Sequence, residues 1–502
     1  MTGRAIAVVF AFAACGDNGT NMQPDGGADA PGEVPAFTPE CHDVDATPNA
    51  FATAADFGPV VAGTLAGWDP NGRWFLTGVR VGGQSSYHFE RQGSQVIVDR
   101  NGQAPGTIDD DVLFQRGTFM SQGQQYILAK RVSNRAADGS FRAERALCDE
   151  QMCRVCTAKM IRATHNDDEG EGNHLSLVGQ LADASWSPGY TFNVRVLGTT
   201  AYLVRIDGLY IIDVADPAHP TQLGYYHKPT LAYSNDVKLF ETGGKRYAVI
   251  ADVPVDVVDV TNPAAPQLVA TIAEEAHTLA LETRGGTWYA YFGNYDASTP
   301  VYDITNPAQP VEVGSYQTSG GLVHDLSVEN GVAYLNAWDA GFLAVDFTTP
   351  SAPVLLGSWG STTALTSHSN WTTTVGGRHI ALHGDENYGA HLDVLDVDPA
   401  SATFMKPFAS YKTRDFISIH NIMAFGAKAY FSYYQDGIRV VDLSNPAAPT
   451  LIGYYNTWDP QADYTSSAFF EGAVGIDVDL SRRLVFVADS PRGLLILQDN
   501  TP

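Results

Sequence analysis

Leu209 to Tyr226 reads LYIIDVADPAHPTQLGYY, and the rest of the chain repeats it. Copies follow as VDVVDVTNPAAPQLVATI from Val255, PVYDITNPAQPVEVGSY from Pro300, FLAVDFTTPSAPVLLGSW from Phe342, LDVLDVDPASATFMKPFASY from Leu392 and IRVVDLSNPAAPTLIGYY from Ile438. A truncated copy, LLILQD, runs from Leu494 to Asp499. In each, an apolar run rich in Val and Ile reads as a buried strand that stops at an Asp. That carboxylate is placed to accept bonds from turn amides, while the prolines that follow fix φ and remove ladder donors. A second short strand, LGYY or VGSY, then begins. The unit is strand, rigid turn, strand.

The repeat aspartates Asp213, Asp259, Asp303, Asp346, Asp396, Asp442 and Asp499 are separated by 46, 44, 43, 50, 46 and 57 residues. A period of about 45 residues with four strands per unit is the length of a β-propeller blade. A linear solenoid or a helical-pair repeat is the alternative, but Asn-Pro after the apolar runs does not fit inside paired helices.

The pattern L-x-I-x-D-x-x-N-P-x-x-P-x-x-x-G-x-Y resembles the LVIVD repeat family, and the resemblance extends from about Leu175 to Asp499. It implies a β-propeller of the kind found in bacterial and archaeal surface proteins. The copy from Leu392 departs most, with Asp398-Pro399 in place of Asn-Pro and the second proline shifted to Pro407. The last copy lacks its outer strand, and LSLVGQLADAS from Leu175 has the sequence of such a strand without the three before it. One completes the other, so the expected fold is all-β: a seven-bladed propeller closed end to end by strand pairing.

The chain has 502 residues, with 44% hydrophobic and 17% charged, an ordinary globular balance with room for two domains. Thirty basic residues against 56 acidic ones give a formal charge of -26, which repels phosphate backbones and argues against a nucleic-acid partner. Residues 1–15, MTGRAIAVVFAFAAC, read as a lipoprotein signal peptide with Phe12-Ala13-Ala14-Cys15 as lipobox and Cys15 as the lipidated residue. A plain secretory signal is the alternative. Residues 16–40 are Gly, Pro, Asp and Asn with almost nothing to bury, a disordered tether. The expected location is the cell envelope, at the outer membrane or cell surface, with membrane attachment through the lipid anchor alone.

Cys41, Cys148, Cys153 and Cys156 remain. In an exported protein an even count favours two disulfides of open connectivity. Cys153-Arg154-Val155-Cys156 reads alternatively as a redox motif or half of a zinc site. From 41 to 164 the repeat is absent, and alternating runs broken by Asp-Pro-Asn-Gly, Arg-Asn-Gly and Ala-Asp-Gly indicate a small antiparallel β domain, barrel or sandwich. Gly67-Trp68 resembles the opening of lipocalin-like domains. Residues 165–174, HNDDEGEGNH, form an acidic linker that is either solvated or an oxygen-rich Ca²⁺ loop, although it lacks EF-hand order. The propeller takes 175–502.

Within a blade, antiparallel pairing puts the proline turns on one face and the turns between second and third strands on the other. That second face carries Asp207, Asp252, Asp296, Asp339, Asp385, Asp436 and Asp489 as turn formers. Where the innermost strands begin, the sequence reads Ser234-Asn235-Asp236-Val237, Ala276-His277-Thr278-Leu279, Val323-His324-Asp325-Leu326, Ser367-His368-Ser369-Asn370, Ile419-His420-Asn421-Ile422 and Glu471-Gly472-Ala473-Val474. His277, His324, His368 and His420 thus occupy one matched position beside the channel. Either they bind Zn²⁺ or Cu²⁺ as neutral imidazoles, with Asp325 or Asp385 as supporting carboxylate or base, or they lock neighbouring blades through backbone hydrogen bonds.

Asn235, Asp325, Asp385, Trp359 and Trp458 mark the same face as a ligand surface, with His383-Gly384-Asp385-Glu386-Asn387 and Tyr464 close by. G-x-S-x-G, Walker A and complete G-x-G-x-x-G motifs are absent from the sequence, which removes support for those enzyme classes. The expectation is a binding protein acting as a monomer on a protein, peptide or glycan. The rival is a metal-dependent hydrolase or oxidoreductase built on the histidines.

Overall fold

The computed structural model describes residues 37–502 except 48, 80–84, 100–102, 122, 167–168, 187–189, 229–233, 361–365, 388–389 and 463–470. The expected signal peptide, Cys15, most of the tether, and Asp167, Asp168 and Tyr464 lie outside the described residues. The chain divides into two compact units, with the change after His165.

The first unit is an antiparallel barrel. Eight strands run in sequence order from Gly72–Thr77 to Met152–Arg162, and the last pairs with both the first and the seventh, Phe141–Cys148. Closure removes the sheet edges. Trp68 packs inside with Trp74, Phe89 and Phe141. A ninth strand, Glu40–Asp45, adds to Met152–Arg162. Two disulfides staple these strands, Cys41 to Cys156 and Cys148 to Cys153, each joining directly opposed residues. Cys153 and Cys156 therefore bond to different partners, and neither the redox motif nor a zinc half-site forms.

The second unit is the propeller, seven four-stranded antiparallel blades at 191–227, 236–272, 276–317, 325–359, 367–411, 422–455 and 473–499. The seventh takes its outer strand, Leu175–Leu181, from the start of the unit, and that strand pairs with Gly493–Asp499. Innermost strands pack side by side around the ring, and Thr191–Leu197 meets Ala473–Asp479 to close it. Third strands are largely apolar on both faces because blades stack face to face; Leu209, Ile211 and Ile212 are fully buried.

The proline turns behave as their residues dictate. All seven repeat aspartates accept the amide two residues on, from Ala215, Thr261, Thr305, Thr348, Asp398, Ser444 and Thr501. Asp216, Asn262, Asn306, Asp398 and Asn445 repeat the device one step later. The divergent fifth blade keeps its turn by another route: Asp396 also takes the hydroxyls of Ser401 and Thr403, and Lys406–Tyr411 still pairs with Leu392–Asp396.

The glycine of the outer strand has a packing reason. A Cβ on Gly314 would lie 1.7 Å from the carbonyl oxygen of Pro350 in the next blade's turn, and one on Gly224 would lie 2.0 Å from that of Pro263. The linker is partly docked rather than freely solvated. Gly172-Asn173 pair with the outer strand of blade six, Glu171 accepts the Tyr455 hydroxyl at 2.6 Å, and Glu169 pairs with the buried Arg439 at 2.7 Å.

Candidate metal centre

The matched histidines reach the axis because of how the innermost strands begin. In blades three and five the pairing skips one residue, between Ala276 and Thr278 and between Ser367 and Ser369. The skipped residues are His277 and His368, bulges that turn a side chain out of the ladder. Blade seven skips between Ala473 and Gly475, so Val474, not Gly472, holds the matched position there. His324 and His420 enter differently, each amide bonding the end of the second strand, at Asn336 and Ser432.

The four imidazoles form a continuous run, with ring centroids 3.9, 4.1 and 4.5 Å apart from His277 through His324 and His368 to His420. Tyr295, Trp338 and Tyr434 wall the run at 5.5, 4.9 and 4.9 Å. His277 Nδ1 lies 2.9 Å from the His324 carbonyl and His420 Nδ1 lies 2.8 Å from that of Val474. A carbonyl only accepts, so both rings carry their proton on Nδ1 and leave Nε2 as a lone pair. The backbone-locking function expected of these histidines is thus real for the outer two.

The inner two lack a hydrogen bond of full geometry: Nδ1 of His324 and both ring nitrogens of His368 are buried, with the backbones of His368 and His420 beside them in turn. Glu386 supplies the carboxylate: its Oε1 lies 3.8 Å from His368 Nε2 and 4.0 Å from His420 Nε2, and it accepts the Tyr434 hydroxyl. Donor atoms of His324, His368 and Glu386 all fall within 4.8 Å of one another. Burial holds His277 and His420 down to about 4 and drives His324 and His368 well below the ordinary histidine value, so all four are neutral at pH 7. Neutral imidazole is the form that ligates metal. Ligands at about 2.0–2.1 Å in a tetrahedron stand roughly 3.3 Å apart, so binding would draw His368 Nε2 and Glu386 Oε1 together by about half an ångström from 3.8 Å, and the other donor pairs, which lie within 4.8 Å, by up to about 1.5 Å.

The other expected residues separate into groups. Asp325 belongs one residue further along the strands, where the Thr278 hydroxyl lies 3.0 Å from Asp325 and 3.1 Å from Asp236, itself paired with Lys238. Burial raises Asp325 to about 6 against the pull of Lys238. Asn235 donates to the Tyr295 hydroxyl at 3.0 Å. Trp458 is 1% exposed and its Nε1 donates to Glu471, so it anchors its loop and offers no ring to a ligand.

Asp385 groups with His383 and Asp393, donor atoms within 4.8 Å of one another, and the His383 ring lies 5.1 Å from that of Trp359. The place of Asp385 as the carboxylate of the run is taken by Glu386, one residue past the end of Arg378–Asp385. Tyr295 stands at the corresponding position past Thr287–Asn294. An acid where a sister blade has an aromatic was the available signal. The linker's Glu169 and Glu171 are committed to Arg439 and Tyr455, which leaves the Ca²⁺ reading without those two ligands.

The LVIVD repeat model matches residues 188–228, 236–273, 288–318, 320–360 and 420–457, which are blades one to four and six. Among solved structures, the computationally designed Ika8 protein is similar at 10% sequence identity and a TM-score of 0.44, over 64% of this chain and 98% of that one. No curated protein matches.

Proposed function

Starting from a chain that carries LVIVD repeats in five of its seven blades, we propose that it is an exported binding protein holding Zn²⁺ or Cu²⁺ at the mouth of its channel. His324, His368 and Glu386 are the ligands, and His277 and His420 flank them with Nε2 lone pairs. The observation that carries this reading is the convergence of His368 Nε2 and Glu386 Oε1 at 3.8 Å. A neutral imidazole nitrogen without a partner and a carboxylate oxygen face one another inside a buried wall, an arrangement that a cation relieves.

The barrel disulfides support an oxidising compartment. Attachment through Cys15 would place the protein at the cell envelope. There the metal face would meet a protein, peptide or glycan partner, and the charge of -26 disfavours nucleic acid. Metal analysis by mass spectrometry of the full chain, expressed with Zn²⁺ and Cu²⁺ in excess, tests the reading. The wild type is expected to hold one equivalent of metal more than His324→Ala and His368→Ala. A metal-free wild type, or equal metal content in the wild type and both variants, would overturn it.

A further inference from the structure

The strand pair beside this centre carries a second constellation. His383 and Asp385 are two apart on Arg378–Asp385 and share one face, while Asp393 lies directly opposite His383 on Leu392–Asp396. Donor atoms of the three fall within 4.8 Å of one another. Ser367, opposite Asp385, completes the face: its hydroxyl lies 2.8 Å from His383 Nε2 and accepts from the Asn336 amide at 3.1 Å. The bulge at His368 and the end of the strand before Glu386 turn these two neighbours to the histidine run instead, so the two groups are separate.

Two atoms here have no partner. His383 is 1% exposed, yet its Nδ1 makes no hydrogen bond, and neither does Oδ1 of Asp385, 4% exposed. The surroundings are apolar, with the Phe342 and Trp359 rings each 5.1 Å from that of His383. Sister blades show what is missing. The second residue of the third strand is also charged in blades two and six, as Asp256 and Arg439. Asp256 meets Lys228 at 2.8 Å and Arg439 meets Glu169 at 2.7 Å. Among the described residues Asp393 has neither a hydrogen bond nor an ion pair, so the same position in blade five lacks its counter-charge.

We propose that His383 Nδ1, Asp385 and Asp393 form a second cation site, separate from the channel centre, for a divalent transition-metal ion. Ser367 is a positioning residue, holding Nε2 so that Nδ1 faces the ion, the arrangement usual behind ligating histidines. One imidazole and two carboxylates neutralise a divalent charge and suit Zn²⁺ or Mn²⁺. Without an ion, burial and then the neighbouring Asp393 push Asp385 up to about 8, and burial pushes the half-buried Asp393 to about 6, the cost of two adjacent carboxylates partly withdrawn from water.

Titration calorimetry of the metal-stripped full chain with Zn²⁺ and with Mn²⁺, alongside thermal melts, tests the proposal. The wild type is expected to bind one equivalent more than Asp393→Asn, and Asp393→Asn to melt higher than wild type before metal is added and to lose this site's share of metal stabilisation. Glu386→Gln removes only the channel site, so the two readings fail separately. Equal stoichiometry in wild type and Asp393→Asn, with unchanged affinities, would overturn the second site. His383→Gln checks this by a second ligand and should show the same one-equivalent loss.

Discussion

Leu175 is the antiparallel partner of Asp499, so the strand that opens the propeller completes its last blade. The ring is held at the same seam by Arg482, which binds the carbonyls of Val214 at 2.9 Å and Gly198 at 2.9 Å in blade one. Cysteines at the partnered positions Ser176 and Gln498 should therefore cross-link without an added linker. Closing so long a loop should raise the melting temperature, with up to about 5 kcal/mol available from chain entropy. Peptide mapping would find the new disulfide; two free thiols in folded protein would mean the strands are apart.

The linker is a structural part of blade six. Arg439 has a side chain with no exposure and ion-pairs with Glu169. Glu169→Gln should destabilise the propeller by about 3–5 kcal/mol, because it leaves a buried guanidinium without its counter-ion. Replacing both residues by Leu should recover much of that loss. Denaturant titration of the three chains separates these outcomes.

Gly314→Ala should destabilise by about 1–3 kcal/mol, since the new methyl meets the Pro350 carbonyl and the adjoining turn must move. The corresponding position in blade two is already Ala270, opposite Val257 as Gly314 is opposite Val301. Ala270→Gly should therefore cost no more than about 1 kcal/mol of strand propensity. Melting curves of the two variants give the comparison.

Asp489 gives a pH dependence. Burial raises it to about 6 although Thr457 and Arg492 pull it down, so the folded state holds a proton the unfolded chain releases near 4. A raised acid stabilises at low pH, and that contribution is lost as pH climbs through about 6. Unfolding free energy of the wild type minus that of Asp489→Asn should fall between pH 4 and 6 and then level off, at no more than about 1.4 kcal/mol per pH unit. A flat difference would show that Asp489 does not titrate this way.

The propeller was legible because its repeat encodes local chemistry. An Asp closing an apolar run and a proline-bearing turn leave little freedom, and all seven aspartates make the turn bond they imply. The four histidines could be aligned for the same reason. Val474 could not, because bulges change the register without changing the residues. Glu386 stood in view at the mouth, but only the register of blade five turns it, and not Asp385, towards the rings. Asp393 sits inside an apolar run that reads as core, and its lack of a counter-ion appears only beside Asp256 and Arg439. In the barrel, strands were visible from alternation, whereas closure of Met152–Arg162 onto Gly72–Thr77 joins segments far apart in sequence.

The most direct test of the account is anomalous diffraction at the zinc edge from crystals of Zn²⁺-loaded full chain. A strong peak bounded by His324, His368 and Glu386 is the predicted result. Loaded crystals with anomalous density only at surface carboxylates, and none between those three side chains, would contradict it.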